Sequence, residues 1–402
     1  MIFVYEDQGF ENLLPLVLTR PVFELRCGNF TILERIQRFY PNEEVVLLVR
    51  DHLVAITKEK NPQYKVQDLK SKIPDSDKPL LFLSARSLLE AEIPVAGDEE
   101  LFIIPKTQTT QPEVIGFRIK PKGLKFPIAP KTIAKSKLKP REIKAKSIKF
   151  LWDLIALNVE FLKKDFPGGQ VKGTLEPRAI IYGDLSRLYL EAESKVEPGV
   201  ILNLHAGPIY LDRGATIRPL SLVEGPCYIG KNTIIDGAKI RPNCSFGENC
   251  RIGGEVEASI FQGFSNKHHD GFLGHSYIGE WVNIGAGTSN SDLRNDYGSV
   301  KVTLGKQVID SGSVKLGCFI GDHTKIAIGT LINTGTVIGI FANVFFPGLT
   351  PKTVPSFSWG GKKRWKIDEV LKTAKAMMAR RNVLLTKNYE KLIRYLYRRL
   401  TT

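Results

Sequence analysis

The chain of 402 residues lacks three things that would each have set its class. It has no run of eighteen apolar residues, which excludes a transmembrane helix. Its opening, MIFVYEDQGF, has neither the basic start nor the apolar stretch of a secretory leader, so a cytoplasmic protein is expected. Its five cysteines, Cys27, Cys227, Cys244, Cys250 and Cys318, contain no CxxC pair. An odd, scattered set fits reduced thiols better than a disulfide framework. Cys244 and Cys250 read as small apolar fillers in preference to metal ligands, and no metal site is expected. Apolar residues make up 43% of the chain, as in a soluble globular protein, and the length calls for more than one core.

What is present is a beat of six residues. Val314, Ile320, Ile326, Ile332, Ile338 and Val344 follow one another at that interval. So do Leu211, Ile217, Val223, Ile229 and Ile235. After a slip of one residue the beat resumes at Ile240, Phe246 and Ile252, then at Phe272, Ile278 and Ile284. A period of six matches neither a helix nor a two-faced strand. It is the pattern of hexapeptide repeats, each a short strand plus a turn, stacked in a left-handed parallel β-helix. The apolar residue points inward, and the glycine that often follows it eases the turn. The hexads predict a domain over 186–358, interrupted at 262–271 and 289–313. Such interruptions become outside loops that carry ligand chemistry.

The first 185 residues read as an α/β, Rossmann-like domain. Residues 2–6, 45–49, 80–84 and 101–105 are apolar runs of the kind that form buried parallel strands, and 114–119 reads as an edge strand. Thr31 caps a helix over 31–39, and 148–164 is an amphipathic helix leading to the second domain. Residues 359–402 form a basic helical tail, expected to pack on a neighbouring subunit.

The net charge of +15 is concentrated. Residues 120–149, a basic linker or loop, hold eleven Lys/Arg against one acid, and 362–399 hold thirteen against three. Neither cluster interleaves aromatics as a single-strand binder would, which argues against nucleic acid. The clusters suit ligands that carry phosphates. The basic face of the tail does not by itself predict a membrane contact.

Three of the six histidines, His268, His269 and His275, lie in Asn266–Thr288, NKHHDGFLGHSYIGEWVNIGAGT. Histidine is the natural proton acceptor near neutral pH, and acyl transfer to an amine needs one beside a backbone N–H that meets the oxyanion. These residues resemble the acetyltransferase domain of the bifunctional N-acetylglucosamine-1-phosphate uridylyltransferase / glucosamine-1-phosphate N-acetyltransferase family. The resemblance implies His269 as the catalytic base and Gly285, Ala286 and Gly287 at the acyl donor. It implies Asn283, Phe272, Asn295, Tyr297 and Lys301 at the sugar phosphate. Phe272 stands where the family has Tyr, which puts the acceptor's identity in question. Lys362, Lys363 and Arg364 are candidates, on charge and position alone, for the phosphates of coenzyme A.

The segment Leu13–Gly28 is similar to a divergent sugar nucleotidyltransferase domain, with Arg20, Arg26 and Arg86 as candidate nucleotide ligands. It departs from that pattern twice. The Gly-rich GxGTR loop is missing, and the strand that should end in a metal-binding Asp reads Leu81-Phe-Leu-Ser-Ala-Arg86. The expectation is an acetyl-CoA-dependent N-acetyltransferase acting on an amino-sugar phosphate. It would be a homotrimer fused to a nucleotidyltransferase domain that uses a nucleoside triphosphate, with Mg²⁺ required only if that domain is active. The product would be a sugar nucleotide like UDP-N-acetylglucosamine. Two alternatives stand: a nucleotidyltransferase with a purely structural β-helix, and a non-catalytic scaffold that binds sugar nucleotides.

Overall fold

The computed structural model describes residues 1–105, 112–121, 138–361 and 363–401. Contacts divide the chain into two units. One is Met1–Leu25 with Phe30–Phe150, and the other is Arg26–Asn29 with Leu151–Thr402.

The first unit is built on a seven-stranded sheet in the order Lys139–Glu142, Glu100–Ile104, Glu113–Ile119, Leu80–Ser84, Ile2–Tyr5, Val45–Val49, Lys65–Asp68. Ile2–Tyr5 and Val45–Val49 are apolar and buried throughout, as parallel strands covered on both faces must be. Phe82 stacks between Phe3 and Phe117, with ring centroids 4.9 Å away on each side. The strand expected at an edge, Glu113–Ile119, lies inside the sheet, antiparallel to both its neighbours. Its apolar residues are spent on interior pairing, which a short run cannot reveal. The helix Ile32–Phe39 begins at Thr31 with a full capping box closed by Glu34.

The second unit is the left-handed parallel β-helix. One face is a ten-stranded sheet from Gln170–Val171 to Thr353–Val354, every strand parallel to the next. Its core is the column of hexad residues, among them Leu211, Ile229, Phe246, Ile278, Ile320 and Ile338, all fully buried. Because Gln170–Val171 already pairs with Leu188–Leu190, the coil begins before the expected boundary at 185. The helix Leu151–Lys164 also belongs to this unit.

Three readings of the beat change. Residues 262–271 are not an outside loop, for Ile260–Gly263 and Asn266–Lys267 continue the coil. The coil from Phe246 to Phe261 closes three residues shorter than the one from Ile320 to Ile338, and this hid the register. The inward residue near 272 is Leu273, paired to Val256, while Phe272 is half-buried. Val314 is exposed because it closes the hairpin Lys301–Leu304/Gln307–Asp310, where Val300 N–H donates to the Ser313 carbonyl.

One corner of the coil repeats an aromatic in the left-handed conformation: Phe264, Trp281, His323, Phe341 and Phe357 all have φ between 52° and 61°. Successive rings stack, with His323 and Phe341 centroids 4.6 Å apart. The tail helices Ile367–Ala379 and Lys387–Thr401 follow. Tyr389 packs on His323 and Tyr397 on Phe357, so the tail lies against its own coil. No helix among the described residues is long and apolar enough to cross a membrane.

Candidate acyl-transfer pocket

The outward column of one coil face carries Arg251, Asn266, Asn283 and Lys325 in register. Where this column meets the end of the first tail helix, a pocket of about 530 Å³ opens. His268, His269, Asn283, Gly285 and Ala286 line it together with Arg251, Arg380 and Arg381. A second hollow of about 330 Å³ shares Asn266, Asn283, Arg380 and Arg381 and adds Lys325.

His269 is exposed at the pocket and stacks on the His268 ring with 5.4 Å between centroids. His268 has its own partner: Nε2 lies 2.9 Å from Asp236 Oδ2, which also accepts from Arg218 Nη1 at 2.9 Å. The hydrogen bond from His268, with that from Arg218, holds the Asp236 carboxyl below its ordinary range. Arg381 Nη2 donates to Asn266 Oδ1 at 2.9 Å, and Asn266 Nδ2 to Asn283 Oδ1 at 3.3 Å. A chain of hydrogen bonds from the tail thus fixes the Asn283 amide.

The expected acyl-donor backbone is brought to the pocket, but its three N–H groups are not equivalent. Gly285 donates to the Ile326 carbonyl and Gly287 to the Asp270 carbonyl, both at 2.9 Å. Among the described residues only the Ala286 N–H of the three is left to meet a ligand oxygen. Gly287 has φ +70°, a turn conformation that glycine adopts without strain, and Ala286 lines the pocket beside it.

The cations that line the pocket were missed in the sequence, because Arg251 is separated from Arg380 and Arg381 by more than a hundred residues. Burial lowers the Arg251 pKa, and the positive charges of Arg381 and Arg218 lower it further. A gathering of guanidinium groups of this kind suits a phosphoryl group. Lys363 and Arg364, expected at that task, form an exposed strand paired to Ser358–Trp359 and do not line the pocket. Lys362 lies outside the described residues.

Of the residues expected at the sugar phosphate, only Asn283 lines the pocket. Tyr297 is 72% exposed and Lys301 is exposed in the hairpin strand, both on the insertion after Asn290, as is Asn295. Phe272 N–H donates to Ser289 Oγ at the root of that insertion. His275 Nδ1 sits 2.7 Å from Asp292 Oδ2 there, pinning the insertion to the coil.

In the first unit, the carboxylates at the end of Ile2–Tyr5 are already engaged. Arg50 makes a two-pronged contact to Glu6 at 3.0 Å, and Val22 N–H donates to the same carboxylate. Arg86 grips Asp7 at 2.7 and 2.9 Å and donates to the Ile148 carbonyl, while Ser84 Oγ donates to Asp7 at 2.8 Å. Arg86, expected as a nucleotide ligand, therefore neutralises Asp7. Arg20 is buried, 1% exposed. Arg26 belongs to the second unit, where its guanidinium lies over the Tyr228 ring and its N–H donates to Tyr277 Oη at 2.9 Å. The three arginines do not form one site. Ser84 stands where a metal-binding Asp is expected, and both nearby carboxylates carry a guanidinium. These residues do not fit a Mg²⁺ ion, and no step is derived through one.

Known proteins are similar to parts of the chain. Residues 2–170 match the family described as sugar nucleotidyl transferase. The chain is 40% identical over 111 residues, 27% of each chain, to a bifunctional sugar-1-phosphate nucleotidylyltransferase/acetyltransferase of Sulfurisphaera tokodaii. It is 32% identical over 159 residues to the bifunctional protein GlmU of Methanocaldococcus jannaschii, covering 39% of this chain and 38% of that one. The GlmU protein of Nitratidesulfovibrio vulgaris is 28% identical over 174 residues, 42% of this chain and 35% of that one. The chain spans about a third of the length of these curated relatives. Residues 2–170 are thus similar to sugar nucleotidyl transferases, and part of the chain is similar to bifunctional nucleotidylyltransferase/acetyltransferase and GlmU proteins.

Proposed function

We propose that the protein is an acetyl-CoA-dependent N-acetyltransferase acting on an amino-sugar phosphate, fused to a domain that handles a sugar nucleotide. The observation that carries this reading is the meeting of exposed His269, Ala286 and Asn283 in one pocket rimmed by Arg251 and Arg381, with the Gly285 and Gly287 N–H groups on either side already bonded. His269 accepts the proton that the amine sheds as its nitrogen attacks the thioester carbonyl. Ala286 N–H meets the negative charge growing on the carbonyl oxygen. Asn283 orients the amino sugar, and the arginines hold phosphoryl oxygens.

The insertion residues Asn295, Tyr297 and Lys301 are assigned to the pocket of an adjoining copy in a homotrimer. Their absence from the lining of the pocket of their own chain favours this arrangement. For the first unit, a sugar-nucleotide-binding role is favoured over metal-assisted transfer, because Asp7 and Glu6 are neutralised by Arg86 and Arg50. Pyrophosphate release from a nucleoside triphosphate and a sugar-1-phosphate in the presence of Mg²⁺ would overturn that part.

The test of the whole is coenzyme A release from acetyl-CoA with glucosamine-1-phosphate. The His269→Ala variant is expected to lose roughly 10²–10⁴-fold in turnover, the usual worth of a positioned base. Unchanged turnover in that variant refutes the assignment.

A further inference from the structure

The inward column beneath the pocket face runs Val196, Ile217, Ile235, Ile252, Lys267, Ile284, Ile326, Val344. Seven of the eight are aliphatic. Lys267 pairs to Ile252 on one side, and since Asn266 pairs to Asn283 it faces Ile284 on the other. It is 1% exposed. An ammonium in such a column costs folding free energy that an aliphatic side chain would not, so a gain elsewhere is needed to account for it.

The direction of the side chain shows where that gain lies. Lys267 Nζ donates to the Gly253 carbonyl at 3.1 Å and to the His269 carbonyl at 2.6 Å. The second bond passes beneath the turn that presents the His269 ring to the pocket. The backbone around Nζ is cleared for it. Gly254 has φ +64°, and a Cβ there would stand 2.6 Å from Nζ. The same turn is tied on its other side by Gly287 N–H to the Asp270 carbonyl. His269 is therefore the exposed tip of a turn whose backbone is anchored from inside the coil.

We infer that Lys267 is a positioning residue for acyl transfer: its buried ammonium holds the His269 carbonyl and so fixes the imidazole at the pocket. This rests on the reading of His269 as the base. The role is one of orientation, because Nζ faces carbonyl oxygens inside the coil and not the pocket. The charged and titratable groups near it are Asp270, His268 and His269 on its own turn and, from an adjacent coil, Asp236, which bonds to His268. Burial lowers its own pKa to about 8, with Asp270 opposing.

The experiment compares wild type, His269→Ala and Lys267→Met by coenzyme A release and thermal unfolding. Methionine fills the aliphatic column and donates nothing. Lys267→Met is expected to lose roughly ten- to a hundredfold in kcat, with KM for both substrates within about twofold and a Tm equal to or above that of wild type. Wild-type kcat should also fall as pH rises past about 8, as Nζ loses its charge and its bond to the His269 carbonyl weakens. The variant should lack that limb. A Lys267→Met kcat within twofold of wild type, while His269→Ala is inactive, overturns the positioning role and leaves the base intact. A variant that fails to fold also overturns it, since the lysine would then be structural. Full turnover in His269→Ala instead refutes the reading of the base itself.

Discussion

The buried ammonium of Lys267 also predicts how stability follows pH. Below pH 8 the lysine is charged in the folded and the unfolded chain alike, and the cost of burying the charge is fully present. Between about 8 and the ordinary value of 10.5 the folded chain gives up the proton while the unfolded chain keeps it. The unfolded state then binds one more proton, so wild-type stability rises with pH by about 1.4 kcal/mol per unit. From pH 6 to pH 9 the folded group crosses about one unit of this window, a gain of about 1.4 kcal/mol. The full shift of two and a half units sets a ceiling of about 3.4 kcal/mol. Lys267→Met has no proton to give up. Its advantage or parity at pH 6 should therefore shrink by about 1.4 kcal/mol at pH 9. All four tryptophans, Trp152, Trp281, Trp359 and Trp365, lie in the second unit, so urea unfolding followed by tryptophan fluorescence reads that unit alone. Parallel pH profiles for the two proteins would refute the argument, because they would mean that Lys267 titrates normally in the fold.

Arg86→Ala leaves the buried Asp7 carboxylate without its guanidinium and should cost about 3–5 kcal/mol in the first unit, read by calorimetry. Unchanged stability with lost nucleotide binding would instead restore Arg86 as a ligand residue. Arg381→Ala should raise KM for a phosphate-bearing substrate about tenfold with little change in kcat, since it removes both a cation and the tie to Asn266; an unchanged KM refutes the phosphoryl role. All five cysteines are buried, and burial pushes the Cys244, Cys250 and Cys318 thiols up to about 12. A thiol reagent at pH 8 should therefore label none until the second unit unfolds. Mixing His269→Ala with Lys301→Ala subunits should restore part of the activity that each homo-oligomer lacks, because a mixed trimer contains some pockets built from two intact segments. No recovery refutes the shared site.

The hexad beat was enough to specify the coil, because a residue that must point inward once per short strand leaves an apolar mark at fixed spacing. Where coils shorten, as between Phe246 and Phe261, the mark fades, and 262–271 reads as a loop although it is strand. The string Val282–Thr288 with His269 pointed to the proposed site, since His269 and Ala286, which line one pocket, lie close in sequence. The cationic rim did not show, because Arg251 meets Arg381 only when the tail folds back on its own coil. That return depends on the ring ladder at the left-handed corner, which receives Tyr389 and Tyr397. The sequence pointed the tail at a neighbouring subunit, because an amphipathic face does not say which surface covers it.

Two lysines show the limit most sharply. In sequence Lys267 and Lys325 are ordinary cations. In the fold, burial brings Lys267 to about 8 and Lys325 to about 7, and both side chains bond to backbone carbonyls. Sequence by itself determined the two architectures and five of the seven sheet strands of the first unit, because local periodicity encodes them, while Lys65–Asp68 and Lys139–Glu142, the latter inside the stretch read as a basic loop, took their place only by pairing in the sheet. Tertiary structure alone decided which charges are neutralised, as at Asp7 and Arg86, and which gather at a pocket, as at Arg251 and Arg381. Burial and the pairing of distant charges depend on neighbours that the chain brings together only when folded.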